Sequence, residues 1–254
     1  MAENLRDKLA TGKPFLFSWM SMAGAQLAGQ LARLPFDGVT IDLQHGMIDF
    51  ADAAAMIGAI SAAGKPAIVR CLWNDPGLVG QALDAGVSAV IAPMVNSRTQ
   101  AEALVKAAKY PPMGQRSWGG YTMVQTAKMT PGEYLAQANK VTLVFAMIET
   151  REALDAVDEI ASVPGLDGLF VGPSDLSIAL SNGAGINKTA SYTLAAMDKV
   201  AAACKRNILF AGAFAGDAEI MNEYIARGFT FLAAAVDVDL MRRGATDILK
   251  DVKL

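Results

Sequence analysis

The sequence predicts an α/β protein built as a single (β/α)8 TIM barrel, and three observations carry that prediction. Eight short, β-rich apolar runs alternate with Ala-rich segments of helical period, the order that pairs strands in parallel through helical crossovers. The apolar runs lack polar alternation, as strands covered on both faces do. The chain has 254 residues, and barrels of this kind need about 250, so one domain over residues 1–254 accounts for the whole length. A doubly wound open sheet is the competing architecture, but no Gly-x-Gly-x-x-Gly follows the first strand.

Taken in order, a charged stretch (1–13) precedes the first strand at 15–18, and 20–24 reads as the loop into a first helix. Strands follow at 38–42, 67–70 and 89–92, with helical patterns at 50–63, 77–85 and 99–109. The stretch 110–139 is too long for an ordinary connection. Its Pro, Gly and aromatic residues predict an irregular loop insertion, a candidate lid or subunit contact. Strands at 143–148 and 168–171 flank a helix at 151–162. Helices at 191–206 and 219–227 lead into strands at 209–211 and 229–233, and a helix at 239–252 closes the chain.

Composition narrows the function. Hydrophobic residues make up 53% and charged ones 19%, enough for a large core. A net charge of −3 without a run of Lys or Arg excludes the basic face that nucleic acid requires. Cys71 and Cys204 are too few for a disulfide framework or a Cys-rich zinc site, which points to reduced thiols in the cytoplasm. Residues 14–32 are uncharged and long enough for a membrane span, yet Ser18, Ser21, Gln26 and Gln30 interrupt them. They read as the first strand and helix of a soluble core, with no membrane partner.

Barrel chemistry sits at the C-terminal ends of the strands. The second strand runs into Asp42-Leu43-Gln44-His45-Gly46, the third ends on Arg70, the fifth on Glu149, and the sixth opens into Gly172-Pro173-Ser174-Asp175. Singly, each has a bland reading as a helix cap or a structural ion pair. Together they converge on one mouth. His45 is the sole histidine, so imidazole acid/base work at neutral pH falls to it. Glu149 and Asp175 occupy adjacent strand ends and offer the oxygen donors that Mg²⁺ or Mn²⁺ accepts, with Co²⁺ a further candidate. The helix opened by Gly172–Asp175 presents backbone N–H groups suited to a substrate carboxylate. None of the twelve lysines stands at a strand's C-terminal end, which favours metal-assisted enolate chemistry over a Schiff base. A sugar-phosphate barrel is disfavoured, because Leu232 to Val238 at the last strand has no glycine.

Several segments match a known pattern in order: Asp42–Gly46, Val69-Arg70, Leu83-Asp84-Ala85-Gly86, Pro111-Pro112-Met113-Gly114-Gln115-Arg116-Ser117, Ile148-Glu149-Thr150 and Phe170–Leu176. On these the chain resembles the HpcH/HpaI aldolase family. The resemblance implies a barrel of the phosphoenolpyruvate/pyruvate-domain type and a class II pyruvate aldolase acting on a keto acid and an aldehyde. It implies metal ligation by Glu149 and Asp175, enolate stabilisation by Arg70, and His45 as base with Asp84 raising its basicity. Gly172, Pro173, Ser174 and Asp175 would hold the keto acid. It also implies a homohexamer, a trimer of dimers, whose C-terminal helix crosses onto a neighbour. In the sequence, Val238, Leu240, Met241, Ile248 and Leu249 are available for burial there. Asp84 lies on the helix after strand three, away from its own mouth, so it would reach His45 of another subunit. Gln44 and Met147 depart from the Glu and Gln common at these positions, which predicts an altered keto-acid preference. A keto-acid-binding barrel without turnover and a citrate-lyase-like acyl-CoA lyase are the alternatives.

Overall fold

Eight parallel strands hydrogen-bond in sequence order and close on themselves: β1 (Phe15–Met20), β2 (Gly38–Asp42), β3 (Ala67–Arg70), β4 (Ala89–Ala92), β5 (Leu143–Ile148), β6 (Gly168–Val171), β7 (Phe210–Phe214) and β8 (Phe231–Val236). The structure is a computed structural model describing residues 4–73, 75–127 and 129–252. Closure comes from β1 pairing with β8, as the predicted (β/α)8 TIM barrel requires.

The helices ring this sheet: α1 (Leu5–Ala10), α2 (Ala25–Leu31), α3 (Phe50–Ala62), α4 (Pro76–Ala85), α5 (Arg98–Ala108), α6 (Tyr121–Ala127), α7 (Pro131–Val141), α8 (Arg151–Asp155), α9 (Val157–Ala161), α10 (Pro173–Leu180), α11 (Ser191–Asn207), α12 (Ala218–Ala226) and α13 (Asp237–Leu249). Side-chain caps start most of the long ones: Asp49 for α3, Ser97 for α5 and Asp217 for α12.

The barrel interior is aromatic. Phe15, Phe17, Phe145, Phe170 and Phe231 fill it, with Phe145 stacked on Phe231 at 4.6 Å and Phe17 at 4.4 Å from the same ring. Such rings fit only where a facing position is bare. A Cβ on Gly168 would stand 2.3 Å from Phe145, so a glycine here makes room for the ring. Leu5 and Leu9 of α1 bury against this cluster and stopper the N-terminal end.

Three expectations are corrected. Strands β1, β7 and β8 extend further toward the mouth than the apolar runs suggested, because Trp19, Phe214 and Val236 still pair or pack there. The helix expected over 151–162 breaks at Ala156 into α8 and α9. The 110–139 insertion is not irregular throughout: it carries α6 and the start of α7. Helix α7 begins with a Thr130–Glu133 capping box and Pro131 in the first turn, a signal present in the sequence. In α13, Leu240 packs partly against the core, and the other apolar residues expected to bury on a neighbour lie open in the single chain. Val238, Met241, Ile248 and Leu249 are 45%, 48%, 76% and 63% exposed, because α13 leaves the barrel after its first turn.

Candidate active site

Parallel register brings the polar strand ends level at the C-terminal rim. Asp42 and Arg70 are direct register partners on β2 and β3. The guanidinium grips the carboxylate with two donors, Nε to Oδ1 at 2.8 Å and Nη2 to Oδ2 at 2.6 Å. Trp19 donates its indole N–H to Asp42 Oδ2 at 3.2 Å, and the guanidinium carbon sits 5.0 Å from the Trp19 ring centroid. The backbone N–H groups of Gln44 and His45 donate to Asp42 Oδ1 at 3.1 and 3.3 Å. Burial works to raise the Asp42 carboxyl, but Arg70 foremost, with Trp19 and the His45 N–H, holds it below the usual carboxylate range. Asp42 therefore aims Arg70 and turns the chain so that His45 stands exposed at the mouth.

Glu149 follows β5 and is 3% exposed. Its one protein donor among the described residues is the Met94 N–H, 2.7 Å from Oε1. Burial pushes the Glu149 carboxyl up to about 7; the Met94 N–H opposes this, the negative charge of Asp175 adds to it, and Arg70 opposes it. A Cβ on Gly172 would lie 2.6 Å from Glu149 Oε2, so only bare backbone can pass this carboxylate. Asp175 is exposed in the first turn of α10, whose N-terminus no side chain caps. Pro173 has no N–H, which leaves those of Ser174 and Asp175 to face a ligand.

One cleft of about 180 Å³ is lined by His45, Arg70, Gly172, Pro173, Ser174 and Asp175 against Trp19, Met147, Phe170 and Phe214, with Glu149 lying against Gly172 outside the lining. A buried, under-donated carboxylate beside a second one and a bare backbone cradle fits a cation. The donor set is oxygen, so a hard divalent ion suits it, water and substrate oxygens completing its shell. Among the described residues, no cluster of three or more His, Cys, Asp or Glu side chains forms a closed cage.

Asp84 is the predicted residue that the single chain keeps apart. It sits on α4 and accepts a 2.6 Å bond from Nη2 of the buried Arg116, bordering a separate cleft with Gln115 and Ser117. Sequence reading missed Asp42 as the anchor of Arg70. It also missed Asp237 at the end of β8, which accepts from the Ser21 N–H (3.0 Å), the Ser21 hydroxyl (2.8 Å) and the Met22 N–H (3.0 Å) and so pins the loop after β1. Reading β8 to its true end would have exposed that acid.

With this geometry in hand, the relatives are informative. The profile of the HpcH/HpaI aldolase/citrate lyase family matches residues 16–244. A hydroxypyruvate/pyruvate aldolase of Rhizorhabdus wittichii is 38% identical over 247 residues, covering 95% of each chain. A 2-dehydro-3,6-dideoxy-6-sulfogluconate aldolase of Pseudomonas putida is 37% identical over 241 residues, covering 94% of this chain and 92% of that one. The crystal structure of a family protein from Burkholderia cenocepacia superposes with a TM-score of 0.85 at 32% identity, covering 94% of this chain and 95% of that one.

Proposed function

The chain belongs to the HpcH/HpaI aldolase/citrate lyase family, and from that membership we propose how its mouth makes and breaks a carbon–carbon bond. It is a carbon–carbon lyase of the class II pyruvate-aldolase type, joining a pyruvate-type enolate to an aldehyde or cleaving the product. The keto acid is pyruvate or hydroxypyruvate. Glu149 and Asp175 hold a divalent cation, Mg²⁺ or Mn²⁺ in first place and Co²⁺ next. When bound, the ion supplies Lewis-acid polarisation of the keto acid.

The protein's own groups do the rest. The N–H groups of Ser174 and Asp175, at the N-terminus of α10, bind the keto-acid carboxylate, with Gly172 and Pro173 shaping the backbone around it. Arg70, held rigid by Asp42 and Trp19, donates to the oxygen that gains charge as the enolate forms. His45 takes the methyl proton, directly or through a water, and returns it to the alkoxide formed when the enolate carbon bonds the aldehyde carbon. Trp19, Met147, Phe170 and Phe214 keep water from the carbanion. The Met147 thioether and the buried, unpartnered Gln44 Oε1 alter the hydrogen bonding open to the keto acid, which sets its preference.

The observation that carries this reading is Glu149: a buried carboxyl pushed up to about 7 beside the Gly172 cradle. Exchange of pyruvate methyl protons for deuterium tests it without needing the acceptor. Exchange should stop in chelated protein, return with Mg²⁺ or Mn²⁺, and stay absent in Glu149→Ala. Full exchange by chelated wild type would refute the metal mechanism, and metal-restored binding of pyruvate without exchange would leave a binding-only barrel.

Assembly completes the reading. The exposed apolar face of α13 supports a homohexamer, a trimer of dimers, in which this helix crosses to a neighbour and Asp84 meets His45 of another subunit. Mixed oligomers of Asp84→Asn and His45→Ala should recover activity, whereas demonstrably mixed but inactive oligomers would sink the composite site. Among the described residues no helix is long and apolar enough to cross a membrane. Two buried, unpaired thiols support a cytoplasmic location, which cell fractionation checks.

A further inference from the structure

Lys188 belongs to the 181–190 loop between α10 and α11, far in sequence from any strand end, yet its side chain reaches the rim. Its ammonium lies 4.8 Å from the centroid of Phe214, the last residue of β7 and a wall of the cleft. Trp19, another wall of the cleft, makes a T-shaped contact with Phe214 at 5.5 Å. The loop is pinned where Lys188 leaves it. Ser177 Oγ accepts from the Asn187 N–H at 3.1 Å, Thr193 donates to the Asn187 carbonyl at 2.8 Å, and Tyr224 donates to the Lys188 carbonyl at 3.0 Å. Ser177, Thr193 and Tyr224 are all fully buried, so the anchor is rigid.

The ammonium itself is poorly satisfied. It is half-buried, and its one hydrogen bond among the described residues is a long 3.4 Å contact to the Ala215 carbonyl. Among the described residues it forms no salt bridge; Asp217 and Asp239 act on it only at a distance. Burial lowers its pKa, and these two acids oppose that. Compare Lys109, whose buried nitrogen has three acceptors within 3.0 Å. A lysine serving only to tether the loop would be expected to show the second pattern. Lys188 shows a preorganised cation with donors to spare, outside the lining of the cleft but against its Phe214 wall.

We infer that Lys188 recognises an anionic group at the far end of the aldehyde acceptor, making it a specificity-determining residue. The inference rests on the aldolase reading. On this inference the acceptor's carbonyl carbon meets the enolate from the open side of the cleft and the rest of its chain leaves over the Phe214 wall, against which the ammonium rests. A carboxylate or other oxyanion on that chain would meet the ammonium and replace the weak Ala215 contact with a charge-assisted bond. A neutral chain would gain nothing there.

The test compares two acceptors of matched length, 4-oxobutanoate and butanal, with pyruvate as donor in the metal-loaded protein. In Lys188→Met the ratio of kcat/KM for the anionic over the neutral acceptor should fall ~10-fold, mostly through KM, which is the scale of one charge-assisted bond. Lys188→Arg should keep most of the ratio, and raising ionic strength should erode it in wild type but not in Lys188→Met. An unchanged ratio in Lys188→Met, or an equal loss on both acceptors, overturns the inference. Pyruvate deuterium exchange, run in parallel, separates the failures: intact exchange with an unmoved ratio rejects Lys188 alone, and absent exchange in wild type rejects the aldolase reading beneath it.

Discussion

The two ends of the barrel each bury a carboxylate beside a cation, and they treat it in opposite ways. At the N-terminal end, Asp167 accepts from Lys109 Nζ at 2.7 Å, from the Val144 N–H at 2.9 Å and from Arg6. Lys109 spends its remaining donors on the carbonyls of Thr142 at 2.7 Å and Asn139 at 3.0 Å. Every donor of that ammonium is used. At the C-terminal end, Asp42 is equally saturated, but it uses its capacity to hold Arg70, and Glu149 is left with one donor. The closed network ties α5, the 110–142 segment and β6 together, whereas the open one stores unmet demand for positive charge. Satisfied buried charge stabilises; unsatisfied buried charge binds and reacts.

Breaking each end should separate stability from chemistry. Lys109→Met leaves the buried Asp167 with only Arg6 and the Val144 N–H and should cost about 3–5 kcal/mol of stability. A thermal melt should register that as a drop of roughly 10 °C or more, with kcat per folded molecule unchanged. Arg70→Lys should do the reverse. Lysine keeps a charge beside Asp42, so the melt should move less, but it loses the fork that reaches the enolate oxygen. Turnover should fall by about 10²–10³-fold, as for other lost oxyanion donors. Near-wild-type turnover in Arg70→Lys, or a kcat loss in Lys109→Met as large as its own, would erase the contrast between the two ends.

The smallest effect sharpens the contrast through pH. Glu149 ionises near 7 in the folded chain against an ordinary value of 4.5. Between these values the folded state holds a proton that the unfolded state has released, so metal-free protein should lose stability as pH rises through that window. The interval is worth roughly 3 kcal/mol at most. Glu149→Gln cannot ionise and should escape the loss. In chelator, the melting temperature of the variant should gain on wild type between pH 5 and pH 8. Added Mg²⁺ or Mn²⁺ should restore wild type only. A constant difference between the two proteins across that range would mean that Glu149 is already compensated without metal.

Much of this was legible along the chain. The strand runs at 38–42, 67–70, 89–92, 143–148 and 168–171 coincide with β2 to β6, because strands covered on both faces must be apolar throughout. Arg70, Glu149 and Gly172–Asp175 were found at the rim because a parallel barrel puts every strand's C-terminal end on one face. The Thr130–Glu133 box is a start signal for α7 in the sequence, set among Pro and Gly residues that favour irregular structure.

What the sequence by itself determined was the order of elements, the closed parallel barrel and the rim on which the chemistry gathers. These follow from local periodicity and from one handed connection repeated seven times between successive strands. Only the tertiary structure decided which rim residues are partners. Asp42 anchors Arg70 because β2 and β3 pair in a register that apolar pattern alone does not specify. Asp84 meets Arg116 because the insertion folds back over α4. Lys188 reaches Phe214 because a buried serine, threonine and tyrosine from α10, α11 and α12 pin its loop. The Asp42–Arg70, Asp84–Arg116 and Lys188–Phe214 contacts each join residues separated by 26 or more positions, and a side chain's partner at that range is set by packing, which local sequence does not encode.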